Sequence, residues 1–220
     1  FFDPDGYWTA TTTYTMTPGR NTDLVPDAIA PKTYEDLLHP RYKGKMIWNR
    51  QPSSTSAQGF IGNVLTSMGE EKGLAYLRKL AEQKPVGSDI SARQALSLTI
   101  SGEYALAMQI PSNFPGIDAR KGAPTAWVAL EPALSVLSVA SITQKAPNPN
   151  AAKLLIEYLI SLEAQKIIAA ADEVPIHPGI DIKDPAQRPD PEKFKLNFVT
   201  PEELEAKLPA WSKVYDELFK

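Results

Sequence analysis

Four consecutive hydroxyl side chains, Ser53-Ser54-Thr55-Ser56, open the strongest apolar stripe in this 220-residue sequence. Hydroxyls at the start of a helix that follows a strand have two uses. One of them can cap the free backbone N–H groups. Several of them, with the helix dipole, can hold an anion or another polar ligand. Arg50 lies just upstream and would add positive charge. Two more polar segments share this setting: Ser88-Asp89 with Ser91, and Ser112-Asn113. In an open α/β sheet, junctions at the carboxyl ends of strands line one crevice. Trp8, Thr12 and Tyr14 lie on an opening strand, where alternation puts all three on one face. They either stack on a ligand beside the crevice or join the core.

Other chemistries are poorly represented. With no cysteine, the chain has no thiol nucleophile, disulfide framework or thiolate metal site. Its two histidines, His39 and His177, each precede a proline and read as loop residues on the surface. The carboxylates are scattered, and no G-x-S-x-G, H-E-x-x-H, P-loop or G-x-G-x-x-G motif occurs. The residues therefore predict a binding protein rather than an enzyme, with no cofactor and no metal. The net charge is −3 with the signs interspersed, which gives no basic stripe for nucleic acid. No apolar run approaches the roughly 20 residues of a membrane span.

These residues need elements to position them. WTATTTYTM (8–16) predicts a strand, ended by a turn at Pro18-Gly19. Thr33 predicts the N-cap of a short helix that stops at Pro40, and residues 45–48 predict a short strand. From the serine run, Ala57, Phe60, Ile61, Val64, Leu65 and Met68 trace one helical face, closed by Gly69. A second helix follows on Leu74, Leu77 and Leu80. Ser91 with Gln94 is a capping-box pattern for a third. Strands are expected over 104–110, 127–130 and 134–142. Asn148-Pro149 and Ser161 begin two helices. Residues 175–201 hold six prolines and predict an extended surface segment. Thr200 and Glu203 cap a last helix, with Leu204, Leu208, Trp211, Tyr215 and Leu218 on one face. Strands alternating with helices over 33–130 predict an α/β fold with a parallel or mixed sheet.

Several segments carry a family resemblance. Pro31 to Leu38, then Pro40, then Tyr42-Lys43-Gly44-Lys45, resemble a block of the family 1 extracellular solute-binding proteins. These are the periplasmic receptors of ABC importers, and the ferric-ion-binding branch is the most similar. Ser101 to Ala105, Ala146 to Lys153, Ser161 to Gln165 and Val174 to Pro178 match in order. The resemblance implies a type II periplasmic-binding-protein fold: two lobes of mixed sheet flanked by helices, joined by crossover strands, with ligand clamped between. Residues 15–132 would form lobe two. Residues 1–14 and 133–220 would supply the crossover strands and the helical part of lobe one, whose N-terminal portion this chain lacks. The implied partners are a small polar or anionic solute and the membrane permease subunits, outside the cytoplasm. The chain itself is expected to be a monomer or a fragment-driven dimer. Ferric relatives carry adjacent tyrosines where this chain has Ser112 and Asn113, neutral groups suited to hydrogen-bonding an organic ligand or oxyanion. Alternative readings are a ferric-iron receptor of the same family and an intracellular effector domain of the LysR type. An enzyme on this fold is the third.

Overall fold

The structure is a computed structural model and describes residues 2–183 and 194–220. Its central strand, β1, runs from Thr9 to Asn21. β-Branched threonines fit a pleated, half-buried surface, which favours the strand. The expected turn at Pro18-Gly19 does not form, and β1 passes through both residues. The pairing register shifts between Thr17 and Gly19, so Pro18, which has no N–H to donate, occupies an irregular point in the ladder. Gly19 is needed for close packing, because a Cβ there would lie 2.6 Å from Ile110 Cδ1.

Strands and helices then alternate. Strand β2 (Met46–Asn49) leads to α1 (Ala57–Met68) and α2 (Glu70–Glu82). Strand β3 (Val86–Ser88) leads to α3 (Ala92–Ile100), and β4 (Leu106–Pro111) leads to α4 (Asn113–Ala119). Strands β5 (Thr125–Trp127) and β6 (Ala133–Ala140) follow. Both are shorter than the sequence suggests. β5 stops at Trp127, where Val128 turns to donate to the Pro18 carbonyl. The short helix expected after Thr33 is a single 3-10 turn, Glu35–Leu38, followed by another at Pro40–Tyr42. Asp36 organises the first turn by accepting N–H groups from Lys32 and Thr33. These bonds, with the one from Lys32 foremost, hold its carboxyl below the ordinary range.

The C-terminal part contains α5 (Pro149–Leu159), α6 (Leu162–Ala170), β7 (Val174–Pro175), β8 (Leu196–Val199) and α7 (Pro201–Leu218). The expected surface segment at 175–201 is therefore corrected at both ends: β7 pairs with β1, and β8 runs parallel to β6. The middle of that segment lies outside the described residues. The sheet order is β3-β2-β4-β1-β6-β8, with β5 and β7 also on β1. Strands β3, β2 and β4 are parallel neighbours, whereas β1 is antiparallel to β4, β5, β6 and β7.

The main core combines Trp48, Phe60, Leu77, Leu80 and Met108 with Trp211 and Tyr215 of α7. Helix α7 starts with the predicted Thr200–Glu203 capping box and packs on α1 and α2. Its Trp211 ring sits directly on Gly62, where a Cβ would come within 2.4 Å of the indole. Helix α5, by contrast, buries none of its residues. Leu154, Leu155 and Tyr158 are exposed, as are Leu162 and Ile167 of α6. No helix among the described residues is long and apolar enough to cross a membrane.

Candidate functional site

The parallel order of β3, β2 and β4 puts the three polar junctions at the carboxyl ends of adjacent strands. They do not all remain available to a ligand. Helix α1 begins at Ala57, not within the serine run. Ser56 is fully buried and does not cap the helix with its side chain. Its hydroxyl donates to the Ser53 carbonyl at 2.8 Å and lies 2.6 Å from Gln58 Oε1, folding the run into a tight loop. That loop presses on the first turn of α1: a Cβ at Gly59 would lie 1.8 Å from the Ser54 carbonyl oxygen. Gln109 of β4 donates to the same carbonyl at 3.3 Å. Ser53, Ser54 and Thr55 stay partly exposed.

Arg50 is already engaged. Its guanidinium forms a two-pronged pair with Asp89, with Nε to Oδ1 at 2.9 Å and Nη2 on Oδ2. The hydrogen bond from Arg50 draws the Asp89 carboxyl below its ordinary value. Ser91 is occupied as the N-cap of α3, accepting from Gln94 N–H at 3.1 Å while Gln94 Oε1 accepts from Ser91 N–H. Both residues thus have polar atoms engaged by other groups of the protein, although the Arg50–Asp89 pair is about half exposed.

Trp8 does not share a face with Thr12 and Tyr14. Thr9 and Ala10 pair with Ala140 and Val139, but Thr12 already pairs with Ser138. One extra β1 residue is accommodated there, and such a bulge reverses the alternation of side chains. The Trp8 indole instead donates to Glu202 at the start of α7, at 2.5 Å.

The remaining four residues converge. Tyr14 packs partly against the main core, and Thr12 is buried beside it. Burial pushes the Tyr14 phenol above its ordinary value. The nearby Thr12 hydroxyl opposes this, and the Glu173 carboxylate adds to it. The Thr12 hydroxyl lies near the phenol but completes no hydrogen bond. Ser112 follows β4 and donates its N–H to the Thr15 carbonyl at 2.9 Å. Asn113 is buried, and its Nδ2 donates to the Asp172 carbonyl at 3.0 Å and lies 3.4 Å from Glu173 Oε2.

Asp172 and Glu173 were not foreseen. They lie between α6 and β7, about 60 residues from their Asn113 partner, and no local pattern marks them. Asp172 adopts φ 65, a conformation that aspartate tolerates better than most residues. Its carboxylate is held by Arg120 at 2.5 Å and Lys183 at 3.2 Å. Glu173 has no ion pair among the described residues. Nor do three His, Cys, Asp or Glu side chains gather there as a metal-binding group.

Comparison with known proteins gives a consistent result. The family model described as bacterial extracellular solute-binding protein matches residues 1–207. Iron uptake protein A1 of Synechocystis is 26% identical over 192 residues, covering 81% of this chain and 52% of its own length. A Salmonella typhimurium periplasmic protein named for 2-aminoethylphosphonate binding is 28% identical over 142 residues, covering 62% of this chain and 42% of its own. The chain thus spans about half the length of the curated relatives it matches. The periplasmic binding protein AfuA of Actinobacillus pleuropneumoniae, solved with fructose-6-phosphate, superposes with a TM-score of 0.78 at 19% identity. That match covers 96% of this chain and 68% of the other. The fold is the type II periplasmic-binding-protein fold, and fold and family alike are those of binding proteins.

Proposed function

This chain belongs to the bacterial extracellular solute-binding proteins, and we propose that it is the solute-capturing part of a receptor for an ABC importer, not an enzyme. In this reading residues 15–132 form one lobe, with α7 packed on it. Residues 1–14 and 133–200 carry the crossover strands and part of the other lobe. The protein works outside the cytoplasmic membrane and hands a small polar solute to the permease subunits.

The observation that carries this reading is the position of the polar cluster. Strand β1 pairs through Met16–Arg20 with β4 and through Thr9–Met16 with β6. Thr12, Tyr14, Ser112, Asn113 and Glu173 gather where those two halves meet. Side chains at such a junction touch a ligand from both sides and sense its presence as a change in the angle between lobes. In this reading Ser53, Ser54 and Thr55, tied to β4 by the bond from Gln109 to the Ser54 carbonyl, belong to the same rim as the Arg50–Asp89 pair and Ser91. A ligand that bridges the lobes binds the closed state better and so shifts the population toward it.

A ferric-ion receptor is the second reading. Tyr14 and Glu173 are hard oxygen donors side by side, and one relative is named an iron uptake protein.

Small-angle scattering on the purified full-length protein tests the first reading against a panel of phosphonates, sugar phosphates, amino acids and ferric citrate. We expect one solute class to bind and to reduce the radius of gyration. Binding to none of the panel, with no compaction, overturns the receptor reading.

A further inference from the structure

Two neighbouring carboxylates in the cluster are treated very differently by the protein. Asp172 is neutralised by Arg120 and Lys183. Glu173 is half-buried and has no cation beside it among the described residues. Its recorded polar neighbours among the described residues are Asn113 Nδ2, at 3.4 Å, and the Tyr14 phenol. A carboxylate offers about four acceptor sites, so two neutral neighbours leave it with free capacity and an uncompensated charge.

The atoms around it add further acceptors. The Asn113 amide is oriented by its bond to the Asp172 carbonyl, because a carbonyl can only accept and so must face Nδ2. That leaves Asn113 Oδ1 pointing elsewhere, and it is buried without a partner. The Thr12 hydroxyl oxygen is also buried and unpartnered. Unsatisfied buried polar atoms are rare in folded proteins, and each calls for an explanation. Here two of them belong to residues that share a cluster with a carboxylate that has no ion pair among the described residues.

Resting on the receptor reading above, we infer that the Thr12–Asn113–Glu173 cluster is a subsite for the ammonium group of a primary-amine ligand. An ammonium brings three N–H donors and one positive charge. It compensates Glu173 and fills the free acceptor capacity of its carboxylate. An anionic group such as a phosphonate or carboxylate would meet acceptors and a like charge here, so any acidic end of the ligand lies away from this cluster. A ferric ion needs several anionic donors, and here Asp172 is already paired with Arg120 and Lys183, which leaves Glu173 as the one carboxylate of this pair without an ion pair among the described residues.

Calorimetric titration of the full-length protein with matched pairs tests the assignment. The pairs are 2-aminoethylphosphonate with ethylphosphonate, glucosamine-6-phosphate with glucose-6-phosphate, and 5-aminopentanoate with pentanoate. In at least one pair the amine-bearing member should bind about 10- to 100-fold tighter, the range of a charge-assisted hydrogen bond. Glu173→Gln, which keeps the shape of the side chain, should erase that preference. The wild-type comparison does not depend on how the variant folds. A protein that binds solutes but prefers the amine in no pair overturns this inference and leaves the receptor reading standing, as does binding of ferric ion alone. A protein that binds nothing overturns both.

Discussion

The Tyr34 phenol donates to the Pro132 carbonyl at 2.7 Å and accepts from Asn63 Nδ2 at 2.6 Å. The Tyr76 hydroxyl in turn donates to the Tyr34 carbonyl at 2.8 Å. Burial pushes both phenols far above the ordinary tyrosine value of 10.0. A group whose pKa is raised by folding adds stability that is fully present below its unfolded pKa. That contribution is lost as pH rises past it toward the folded pKa. The protein should therefore unfold cooperatively above about pH 10. In an alkaline titration these two phenolates should absorb only as near-UV circular dichroism collapses; earlier ionisation with the fold intact would contradict their burial. Tyr34→Phe should cost about 1–3 kcal/mol in denaturant melts, because Asn63 loses a buried partner. At this scale the sequence was legible where the chemistry is local. Ser91 and Gln94 are three residues apart, and their mutual bonds follow from spacing alone. Glu173 was invisible because its meaning comes from Asn113, 60 residues away. Trp8 was misplaced because a bulge, which has no composition signature here, reversed its face.

Helix α7 shows how one element depends on a residue in another. Its capping box and apolar stripe were readable, since both are periodic features of a single segment. Its partner was not, because the signal is an absence: Gly62 on α1 has no Cβ, and the Trp211 ring occupies that space. Gly62→Ala should therefore destabilise the fold by about 1–3 kcal/mol through overpacking, despite alanine's better helix propensity. Equilibrium unfolding followed by tryptophan fluorescence reads this directly, and a stabilised variant would show that α7 docks elsewhere. Strand β8 was missed for a related reason. Four residues, Leu196–Val199, follow a proline-rich stretch, and only pairing with β6 makes them a strand. The α/β alternation of β2 to α4 was plain because each strand and helix there carries its own turn and cap signals.

For the molecule as a whole, the largest contrast is between α7, which is buried on the core, and α5, which is not. Leu154, Leu155, Tyr158 and Ile167 are 67%, 57%, 44% and 56% exposed. Exposed apolar side chains in this number on two successive helices favour association. The 220-residue chain should self-associate with rising concentration in sedimentation velocity runs, and Leu155→Lys combined with Ile167→Lys should return it to a monomer. A chain that stays monomeric at high concentration before substitution would mean these side chains do not drive contact. The family motifs gave the fold because they are ordered along the whole chain, but which helix faces stay open is a property of three-dimensional packing. Strand β1 has a mechanical consequence of its own. Hydrogen-bonded strands resist stretching, yet the twist between neighbours varies over roughly 10 to 35° at little cost. With β4 and β5 attached to one end of β1 and β6 and β7 to the other, the two ends cannot be pulled apart, but they can wring. In the receptor reading, torsion about β1 is therefore the coordinate along which the two ends move, and the polar cluster lies beside that strand.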